Sequence, residues 1–372
     1  MSIAVGAEVA LNGICPYFTM FPLEFPLGIL RRLAGEGDLV LDPFCGRGTT
    51  NFAARLLGLT SLGVDCSPVA VAITAAKLVT ASVEDILDEA RTILIEGEAD
   101  WVPATEFWRW AYHPVVLLSL CKLREAFLKD CSTAPRIALR GIVLGALHGP
   151  KQKTSPGYFS NQCPRTYAPK PAYAVRFWRS RGLAPDLVDV LSVIERRARR
   201  YYGVPLRGGG VARLADSRVP EALQPQALAA PFSWVITSPP YYGMRTYLPD
   251  QWLRNWFVGG PESVDYSNRD QITHSSPQDY VSDLQKVWCN AARVSGKGAT
   301  MVIRFGGIRD RRADPLDLIT RSLNETGWRV KMINQAGSAN QGKRQADAFL
   351  REKTDPMVEF DIWAERSDLT NG

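Results

Sequence analysis

Two short turns in this 372-residue chain carry residue types that could hold a charged cofactor and a planar amine. The first turn lies in LVLDPFCGRGTT (39–50), where Asp42 ends an apolar run and a helix begins near Thr49. Between them, Gly46 and Gly48 allow the backbone to approach a ligand closely. The helix start offers unpaired N–H groups to a carboxylate, and Asp42 suits an ammonium group. This turn therefore predicts a site for a ligand that carries both charges.

A second acid follows the first turn. Asp65 ends the next strand candidate, SLGVD (61–65), a typical position for an acid that holds ribose hydroxyls. The first turn lacks the GxGxxG of dinucleotide sites and the GKS/T of a phosphate-binding loop, and Asp42 would repel a pyrophosphate. The alternative is a tight turn between a strand and a helix in an ordinary doubly wound sheet.

The second turn follows the strand candidate SWVIT (233–237) and reads Ser238-Pro239-Pro240-Tyr241. Prolines fix φ and stiffen the turn. The Ser238 hydroxyl and the Pro239 carbonyl then form a rigid pair of acceptors beside the flat ring of Tyr241. Such a pair suits the two protons of an exocyclic amine on a planar base, although SPPY alone is a common surface turn.

Strand candidates alternate with helical stretches around both turns. Strand candidates are DLVLD (38–42), SLGVD (61–65), VARLA (211–215), SWVIT (233–237), ATMVIR (299–304), WRVKMI (328–333) and MVEFDIW (357–363). Helical stretches are 49–57, 68–79, 278–294 and 314–326. This alternation predicts an α/β fold with a parallel sheet covered on both faces, in which the last two strands could form an antiparallel edge.

The interval 81–204 breaks this rhythm and predicts a mainly helical insertion. We therefore divide the chain into a discontinuous α/β catalytic domain, 1–80 with 205–372, and the insertion at 81–204. Helices of the insertion are expected at about 83–98, 114–129, 134–147 and 186–202, with a basic loop before the last. The periodicity of the last helix places Leu187 on its packed face and Arg199 in solvent.

Positive charge is concentrated in the insertion. The whole chain has a formal net charge of +6, whereas residues 151–181 contain seven Lys and Arg and no Asp or Glu. Aromatic residues lie among these cations, and cations neutralise phosphates while aromatic rings stack on bases. A solvated basic loop is an equally good reading of the charge pattern alone. Candidate nucleic-acid contacts are Lys151, Lys153, Arg165, Lys170 and Arg176.

Composition excludes several classes of protein. Hydrophobic residues make up 46% and charged residues 22%, which is ordinary for a folded soluble protein and excludes a disordered chain, a coiled coil and a collagen-like fibre. The sequence contains no run of 18 apolar residues, so we expect no membrane span. The N-terminus lacks the pattern of a secretory signal. Seven cysteines without a CxxC pair and three scattered histidines favour reduced thiols over disulfides or a metal site.

Both turns together resemble a known family, the amino-methylating DNA methyltransferases. DPFCGRGTT resembles their S-adenosylmethionine loop and TSPPYY resembles their catalytic motif, in the Ser version that is similar to cytosine-N4 enzymes. YFTMFPLEFPLGILRRL (17–33) resembles the helix-forming motif over the methionine end of the cofactor, and LADSR (214–218) resembles the strand end whose acid meets the adenine. The resemblance implies a Rossmann-like class I methyltransferase sheet.

The resemblance also implies roles for individual residues. The catalytic turn consists of Ser238, Pro239, Pro240 and Tyr241. The implied cofactor contacts are Thr19, Asp42, Phe44, Gly46, Gly48, Thr49, Asp65, Cys66 and Asp216.

The implied activity is transfer of a methyl group from S-adenosylmethionine to the exocyclic amine of a base in double-stranded DNA. Ser238 favours cytosine N4, whereas adenine-N6 enzymes more often have Asp or Asn there. A base inside a duplex cannot reach such a cleft, so we expect it to be flipped out. The resemblance further implies a cytoplasmic, prokaryotic modification enzyme, associated with the nucleoid when bound to DNA, that works with or without a companion restriction endonuclease.

Three alternatives remain open at this point. The enzyme could methylate adenine N6, or its substrate could be RNA, since RNA base methylases share the fold. The chain could also be a non-catalytic, cofactor-binding protein that binds DNA. No metal and no membrane partner is expected in any of these readings.

Overall fold

The structure is a computed structural model that describes most of the chain. The described residues are 6–17, 21–151, 156–160, 168–225, 230–243, 247–265, 272, 276–307, 313–338 and 358–367.

The described strands form one sheet of seven. They are β1 (Leu39–Asp42), β2 (Thr60–Asp65), β3 (Gly210–Leu214), β4 (Phe232–Thr237), β5 (Ser295–Gly306), β6 (Trp328–Ser338) and β7 (Val358–Arg366). Their order in the sheet is β3-β2-β1-β4-β5-β7-β6. The first five strands pair in parallel, while β7 is antiparallel to both β5 and β6. The predicted α/β fold with an antiparallel edge is therefore confirmed.

Within the antiparallel edge, the last strand in sequence, β7, lies between β5 and β6. Ile362 and Ala364 on one face of β7 are buried, so this strand packs into the core of the sheet unit. In the pairing of β5 with β7, Arg304 lies opposite Asp361 and Gly306 lies opposite Glu359.

Helices connect most strands. They are α1 (Glu24–Leu33), α2 (Thr49–Leu56), α3 (Pro68–Leu78), α4 (Val83–Glu96), α5 (Glu106–Ala111), α6 (Pro114–Lys129), α7 (Ala134–Ala146), α8 (Pro171–Ser180), α9 (Val190–Tyr202), α10 (Tyr247–Asp250), α11 (Trp252–Phe257), α12 (Pro277–Val294) and α13 (Pro315–Leu323). Short 3-10 helices span Ala7–Gly13 and Pro220–Leu223. No helix among the described residues is long and apolar enough to cross a membrane.

Two local expectations were wrong. The segment expected as a basic loop contains α8, because Ala174, Val175 and Trp178 form a short buried stripe at helical spacing. The helix expected from 186 begins at Val190, where the side chain of Asp189 accepts hydrogen bonds from the first backbone N–H groups. Leu187 therefore precedes the helix and is 65% exposed, not packed.

The chain divides into two compact units. One comprises 1–17, 75–207 and 246–267, and the other comprises 18–74, 208–245 and 268–372. We call them the helical unit and the sheet unit. The division of catalytic and target-recognition functions between 1–80 with 205–372 and the insertion at 81–204 stays a prediction.

The helical unit has an aromatic core. Trp108 contacts Trp256 with ring centroids 4.4 Å apart, and Phe107 contacts Trp252 at 4.9 Å and Trp178 at 5.7 Å. Rings of this size dominate the apolar area that a fold buries. WLRNWF (252–257) thus belongs to a core, as its sequence suggests.

The core of the sheet unit packs α12 and α13 against the strands, with Trp288 and Met301 fully buried. In a parallel sheet whose neighbouring crossovers run in opposite directions, ligands bind beyond the carboxyl ends of the strands at the point of reversal. Here that point lies between β1 and β4, since β1 pairs with β2 on one side and β4 on the other. Both turns singled out in the sequence follow these two strands.

Candidate active site

The glycine turn after β1 adopts a conformation that requires glycine. Gly46 and Gly48 have φ of 50° and 72°, and Gly48 lies directly before α2. A Cβ at Gly48 would lie 2.6 Å from the Thr74 hydroxyl oxygen, which itself donates to the Gly46 carbonyl at 3.0 Å. Left-handed φ and this close packing both exclude a side chain at position 48. The turn is therefore a preformed, closely packed cradle at the switch point.

Asp42 joins the two turns. Its side chain is 1% exposed, and its Oδ1 accepts hydrogen bonds from the Thr237 hydroxyl at 2.6 Å and the Phe44 N–H at 3.1 Å. Thr237 is the last residue of β4, directly before Ser238. Burial raises the pKa of Asp42 to about 7, although the hydrogen bonds from Thr237, Phe44 and Thr50 oppose the shift. This carboxyl group can change its charge near neutral pH.

Asp65 holds the glycine turn from the second strand. Its Oδ2 accepts the Gly46 N–H at 2.9 Å and its Oδ1 accepts the Ser67 N–H at 2.8 Å. Burial raises the pKa of Asp65, and these two backbone hydrogen bonds work against that shift. A carboxylate oxygen has about two acceptor sites, so each oxygen can still accept one hydroxyl of a ribose.

Asp216 forms an ion pair with Arg218 that the sequence pattern did not indicate. Both carboxylate oxygens accept from Arg218 at 2.7–3.0 Å, and Arg218 also donates to Asp283 of α12 at 2.8 Å. The Arg218 hydrogen bonds hold the pKa of Asp216 below its ordinary value even though partial burial raises it. An adenine amine would have to share this carboxylate with Arg218. The Ser217 hydroxyl donates to the Pro43 carbonyl at 2.7 Å, which ties this loop to the glycine turn.

Other predicted cofactor residues fall in different environments. Thr49 is buried at the start of α2, and the half-buried ring of Phe44 meets Trp288 edge-on at 5.9 Å. Cys66 is exposed immediately after Asp65. Thr19 lies outside the described residues.

The SPPY turn is fixed from two sides. The Tyr280 hydroxyl of α12 donates to the Pro240 carbonyl at 2.7 Å, and the Tyr241 hydroxyl donates to Glu359 of β7 at 2.8 Å. Within the described part of the chain, no group bonds to the Ser238 hydroxyl or to the Pro239 carbonyl. Among the described residues these two groups thus have no protein partner, while the neighbouring groups of the turn are already engaged.

Two aromatic residues of this turn differ in their surroundings. Tyr241 meets Phe305 edge-on with ring centroids 5.3 Å apart, and Tyr242 meets Tyr280 edge-on at 5.4 Å. Tyr242 thus packs on α12.

Three of the predicted nucleic-acid contacts, Lys151, Lys170 and Arg176, lie among the described residues, and all three belong to the helical unit. Lys151 pairs with Asp186 at 3.2 Å, whereas Lys170 and Arg176 are exposed and have no carboxylate within ion-pair distance among the described residues. Lys153 and Arg165 lie outside the described residues. His148 is buried, and Arg304 forms a two-bond ion pair with Asp361, so neither offers a free contact to phosphate.

Sequence reasoning missed three residues of the site. Glu359 and Tyr280 reach the SPPY turn, and Arg218 binds Asp216, from positions remote from both motifs. Arg218 could have been found, because an arginine two residues after an acid at a strand end can bind it. Glu359 carried no such signal. It lies 118 residues from Tyr241 in sequence, and only the pairing of distant strands brings the two together.

The comparisons with known proteins match the segment that builds the glycine turn. A family model described as DNA methylase, N6_N4_Mtase, matches residues 8–76. Over that segment the chain is similar to amino DNA methyltransferases. The match ends before Ser238, so the catalytic role of the SPPY turn remains a prediction.

Two relatives support the family assignment over short lengths. Type II methyltransferase M.MjaII of Methanocaldococcus jannaschii is 37% identical over 68 residues, 18% of this chain. Type II methyltransferase M.BsoBI of Geobacillus stearothermophilus is 50% identical over 34 residues, 9% of this chain. The matches span 13% and 7% of those relatives' lengths.

Two solved structures are similar to this chain at low TM-scores. The rRNA methyltransferase AviRa of Streptomyces viridochromogenes has a TM-score of 0.37 and 14% identity, covering 99% of this chain and 94% of that one. A SAM-dependent methyltransferase of Methanosarcina mazei has a TM-score of 0.34 and 10% identity, covering 94% and 98%.

The residues of the switch point fit S-adenosylmethionine, the cofactor that the resemblance implies. The Gly46–Gly48 cradle leaves no room for a Cβ at position 48, Asp42 is a buried carboxyl for an ammonium, and Asp65 retains acceptor sites for ribose hydroxyls. Among the described residues no cluster of His, Cys, Asp and Glu could hold a metal ion.

We expect the affinity for S-adenosylmethionine to rise with pH between about 6 and 7.5. Asp42 has a pKa of about 7, and only its ionised form attracts an ammonium, so affinity falls up to about tenfold per pH unit below that pKa. Asp42→Asn should bind the cofactor more weakly and lose this slope, measured by isothermal titration calorimetry.

The same substitution should have the opposite effect on stability. A raised carboxyl pKa means that ionisation of buried Asp42 opposes folding, a cost that grows as pH rises from about 4 to 7. The cofactor-free Asp42→Asn protein should therefore unfold at a temperature no lower than the parent at pH 8. Asp38→Asn, at the other end of β1, is the control and should keep the pH slope. A slope that persists in Asp42→Asn contradicts the assignment.

Proposed function

We propose that this protein transfers a methyl group from S-adenosylmethionine to the exocyclic amine of a flipped-out base in double-stranded DNA, with cytosine N4 as the favoured target. One observation carries the proposal: the Thr237 hydroxyl bonds to Asp42 at 2.6 Å, so the cofactor turn and the SPPY turn follow adjacent, joined strand ends. When bound, the cofactor supplies a sulfonium-bound methyl group, an electrophile that needs no acid from the protein.

The chemical task of this chain is to prepare the amine. An exocyclic amine is a poor nucleophile because its lone pair is delocalised into the ring. Hydrogen bonds from its two protons to the Ser238 hydroxyl and the Pro239 carbonyl favour a tetrahedral nitrogen, which returns the lone pair to that atom. Fixed acceptors need no reorganisation during the reaction, and such positioning supplies much of the rate in many enzymes. The amine proton becomes acidic as its nitrogen is alkylated, so no strong base is required.

Tyr241 supplies the surface for the base. Its hydroxyl bonds to Glu359, its ring meets Phe305 edge-on, and the residue as a whole is half-buried. Stacking of a base on an aromatic side chain is worth about 1–3 kcal/mol and is tolerant of the base's identity. This tolerance means that Tyr241 supports base binding without deciding between cytosine and adenine.

DNA contact is proposed for the outer face of α8 in the helical unit. Tyr173 is 64% exposed and stacks on Phe177 with ring centroids 6.3 Å apart, and Arg181 lies over Phe177 at 4.2 Å. Exposed Lys170 and Arg176 flank these rings, and α8 contains no acid. Cations next to exposed aromatic rings suit phosphates and bases.

We expect Lys170→Gln and Arg176→Gln to weaken DNA binding uniformly across sequences. Each lost phosphate contact should lower the slope of log affinity against log salt by about one. Fluorescence anisotropy with a duplex at several salt concentrations measures that slope. Arg91→Gln is the matched control, because Arg91 is an exposed helical cation that already pairs with Asp88. An unchanged slope in both variants would place DNA contact elsewhere.

Adenine N6 is the second candidate target, since the family model covers both chemistries. Ser238 favours cytosine, because the resemblance associates Asp or Asn with adenine at that position. A restriction-modification role with a companion endonuclease, and a cytoplasmic location on the nucleoid, belong to the same proposal and draw on the two Type II relatives.

Transfer of tritium from labelled S-adenosylmethionine separates the substrate classes. We expect label in duplex DNA, little in RNA, and a loss of about 100-fold or more in the DNA label with Ser238→Ala. Label in RNA alone would support RNA base methylation. Binding of cofactor and DNA without any transfer would support a non-catalytic binding protein.

A further inference from the structure

Glu359 lies outside every motif of this chain, yet it contacts the residue proposed to stack on the base. Its Oε1 accepts the Tyr241 hydroxyl at 2.8 Å. Glu359 is half-buried on β7, the strand that enters the sheet antiparallel between β5 and β6. A hydrogen bond to a carboxylate is stronger than one between neutral groups, so this contact restrains the ring of Tyr241.

Gly306 makes room for this pair. It lies opposite Glu359 in the β5–β7 register. A Cβ at Gly306 would lie 3.0 Å from Glu359 Cγ and 3.3 Å from Tyr241 Cε2. Both distances are shorter than ordinary contacts of a Cβ, so a side chain here would displace the carboxylate, the ring or both. Glycine at position 306 therefore leaves the space in which Tyr241 and Glu359 meet.

The neighbouring pair of the same register fixes the two strands. Arg304 donates two hydrogen bonds to Asp361 at 2.8 Å each, and its guanidinium lies 3.7 Å from the ring centroid of Phe25 on α1. The side chains of Arg304 and Asp361 are 12% and 15% exposed. Such a partly buried, two-bond ion pair is geometrically specific. It sets the alignment of β5 and β7 two residues before the point where Glu359 meets Tyr241.

We propose that Glu359 is a positioning residue for base methylation, which acts by holding the ring of Tyr241 in the orientation that receives the flipped base. The inference rests on the proposed function. Phe305 restrains one edge of the ring, Glu359 restrains its hydroxyl end, and Gly306 leaves the space that both need. Glu359 does not touch the reacting atoms in this account.

The test uses four substitutions in the full chain and steady-state methylation of a duplex. Glu359→Ala and Tyr241→Phe each remove the hydrogen bond, so each should lower kcat about tenfold with the KM for DNA changed less than about threefold. Glu359→Gln retains an acceptor oxygen and should stay within about threefold of the parent. Gly306→Ala should lower kcat as much as Glu359→Ala does, although it leaves the side chains of Tyr241 and Glu359 unchanged.

A double-substitution cycle separates positioning from a merely structural role. If Glu359 acts through Tyr241, the combination of Tyr241→Phe with Glu359→Ala should be no slower than either single variant. Cofactor affinity and the thermal unfolding midpoint should be unchanged in Tyr241→Phe. Additive losses, or full activity of both single variants, would overturn the inference while the proposed function stands. A parent protein that methylates neither cytosine nor adenine in DNA would overturn both.

Discussion

Replacing Ser238 with alanine should lower methyl transfer to DNA about 100-fold or more, since one of two preorganised hydrogen-bonding groups at the reacting amine is lost. Cofactor affinity should stay within about threefold of the parent, because Ser238 belongs to the amine turn and bonds to no other described group of the protein. Single-turnover transfer of labelled methyl measures the first quantity, and calorimetry measures the second.

The control for this substitution is Ser233→Ala. Ser233 is half-buried on the same strand as Thr237, but at the opposite end of β4 from the switch point. It should therefore retain transfer at the parent rate. Full activity of Ser238→Ala, or a loss shared equally by Ser233→Ala, would remove Ser238 from the amine site.

Replacing Tyr241 with alanine should also lower transfer about 100-fold, from the loss of up to about 3 kcal/mol of base stacking. The effect should exceed that of Tyr241→Phe, because phenylalanine loses only the hydroxyl bonded to Glu359 and keeps the stacking surface. Binding of a duplex should weaken little, because cations on other elements supply the phosphate contacts in this account.

Fluorescence of 2-aminopurine at the target position offers a direct reading of this role. The base is bright when it leaves the helix, and stacking on Tyr241 should partly quench it, so Tyr241→Ala should give brighter complexes than the parent. Tyr242→Ala is the neighbouring control, since Tyr242 packs edge-on against Tyr280. Equal losses of transfer in the two variants would contradict a special role for Tyr241.

Local signals in the sequence predicted most elements of the sheet unit. Apolar runs that end in an acid or a turn mark β1, β2 and β4, and the observed helix bounds of α2 and α12 lie within one residue of those expected. These signals also predicted which strand ends carry Asp42 and Ser238. A parallel, doubly wound order then brings the two strand ends together, so the centre of the candidate site followed from pattern and topology.

Contacts between distant segments could not be predicted in this way. The position of β7 between β5 and β6 depends on pairing across the chain, and Glu359 reaches Tyr241 only through that pairing. Asp216 was expected to face a cofactor adenine, but the sequence did not indicate that Arg218 binds both of its oxygens. Side-chain partners of this kind follow from tertiary packing, which periodicity does not encode.

The helical unit shows a different limit. Its basic composition and its prolines suggested a loop where α8 forms, because only three buried residues on a short helix mark the packed face. Charge alone could not separate a DNA-binding surface from a solvated one. The stack of exposed Tyr173 on half-buried Phe177 is the added feature that favours DNA, since Lys170 and Arg176 of the same element form no salt bridge among the described residues.

Mass spectrometry of nucleosides after methylation in vitro tests the central claim most directly. Duplex DNA containing all short sequence contexts is incubated with the protein and deuterated S-adenosylmethionine, then digested and analysed. We expect deuterated N4-methylcytosine in the parent reaction and about 100-fold less of it with Ser238→Ala. N6-methyladenine alone would show that the serine does not select cytosine, and DNA without any methylated amine would contradict the account.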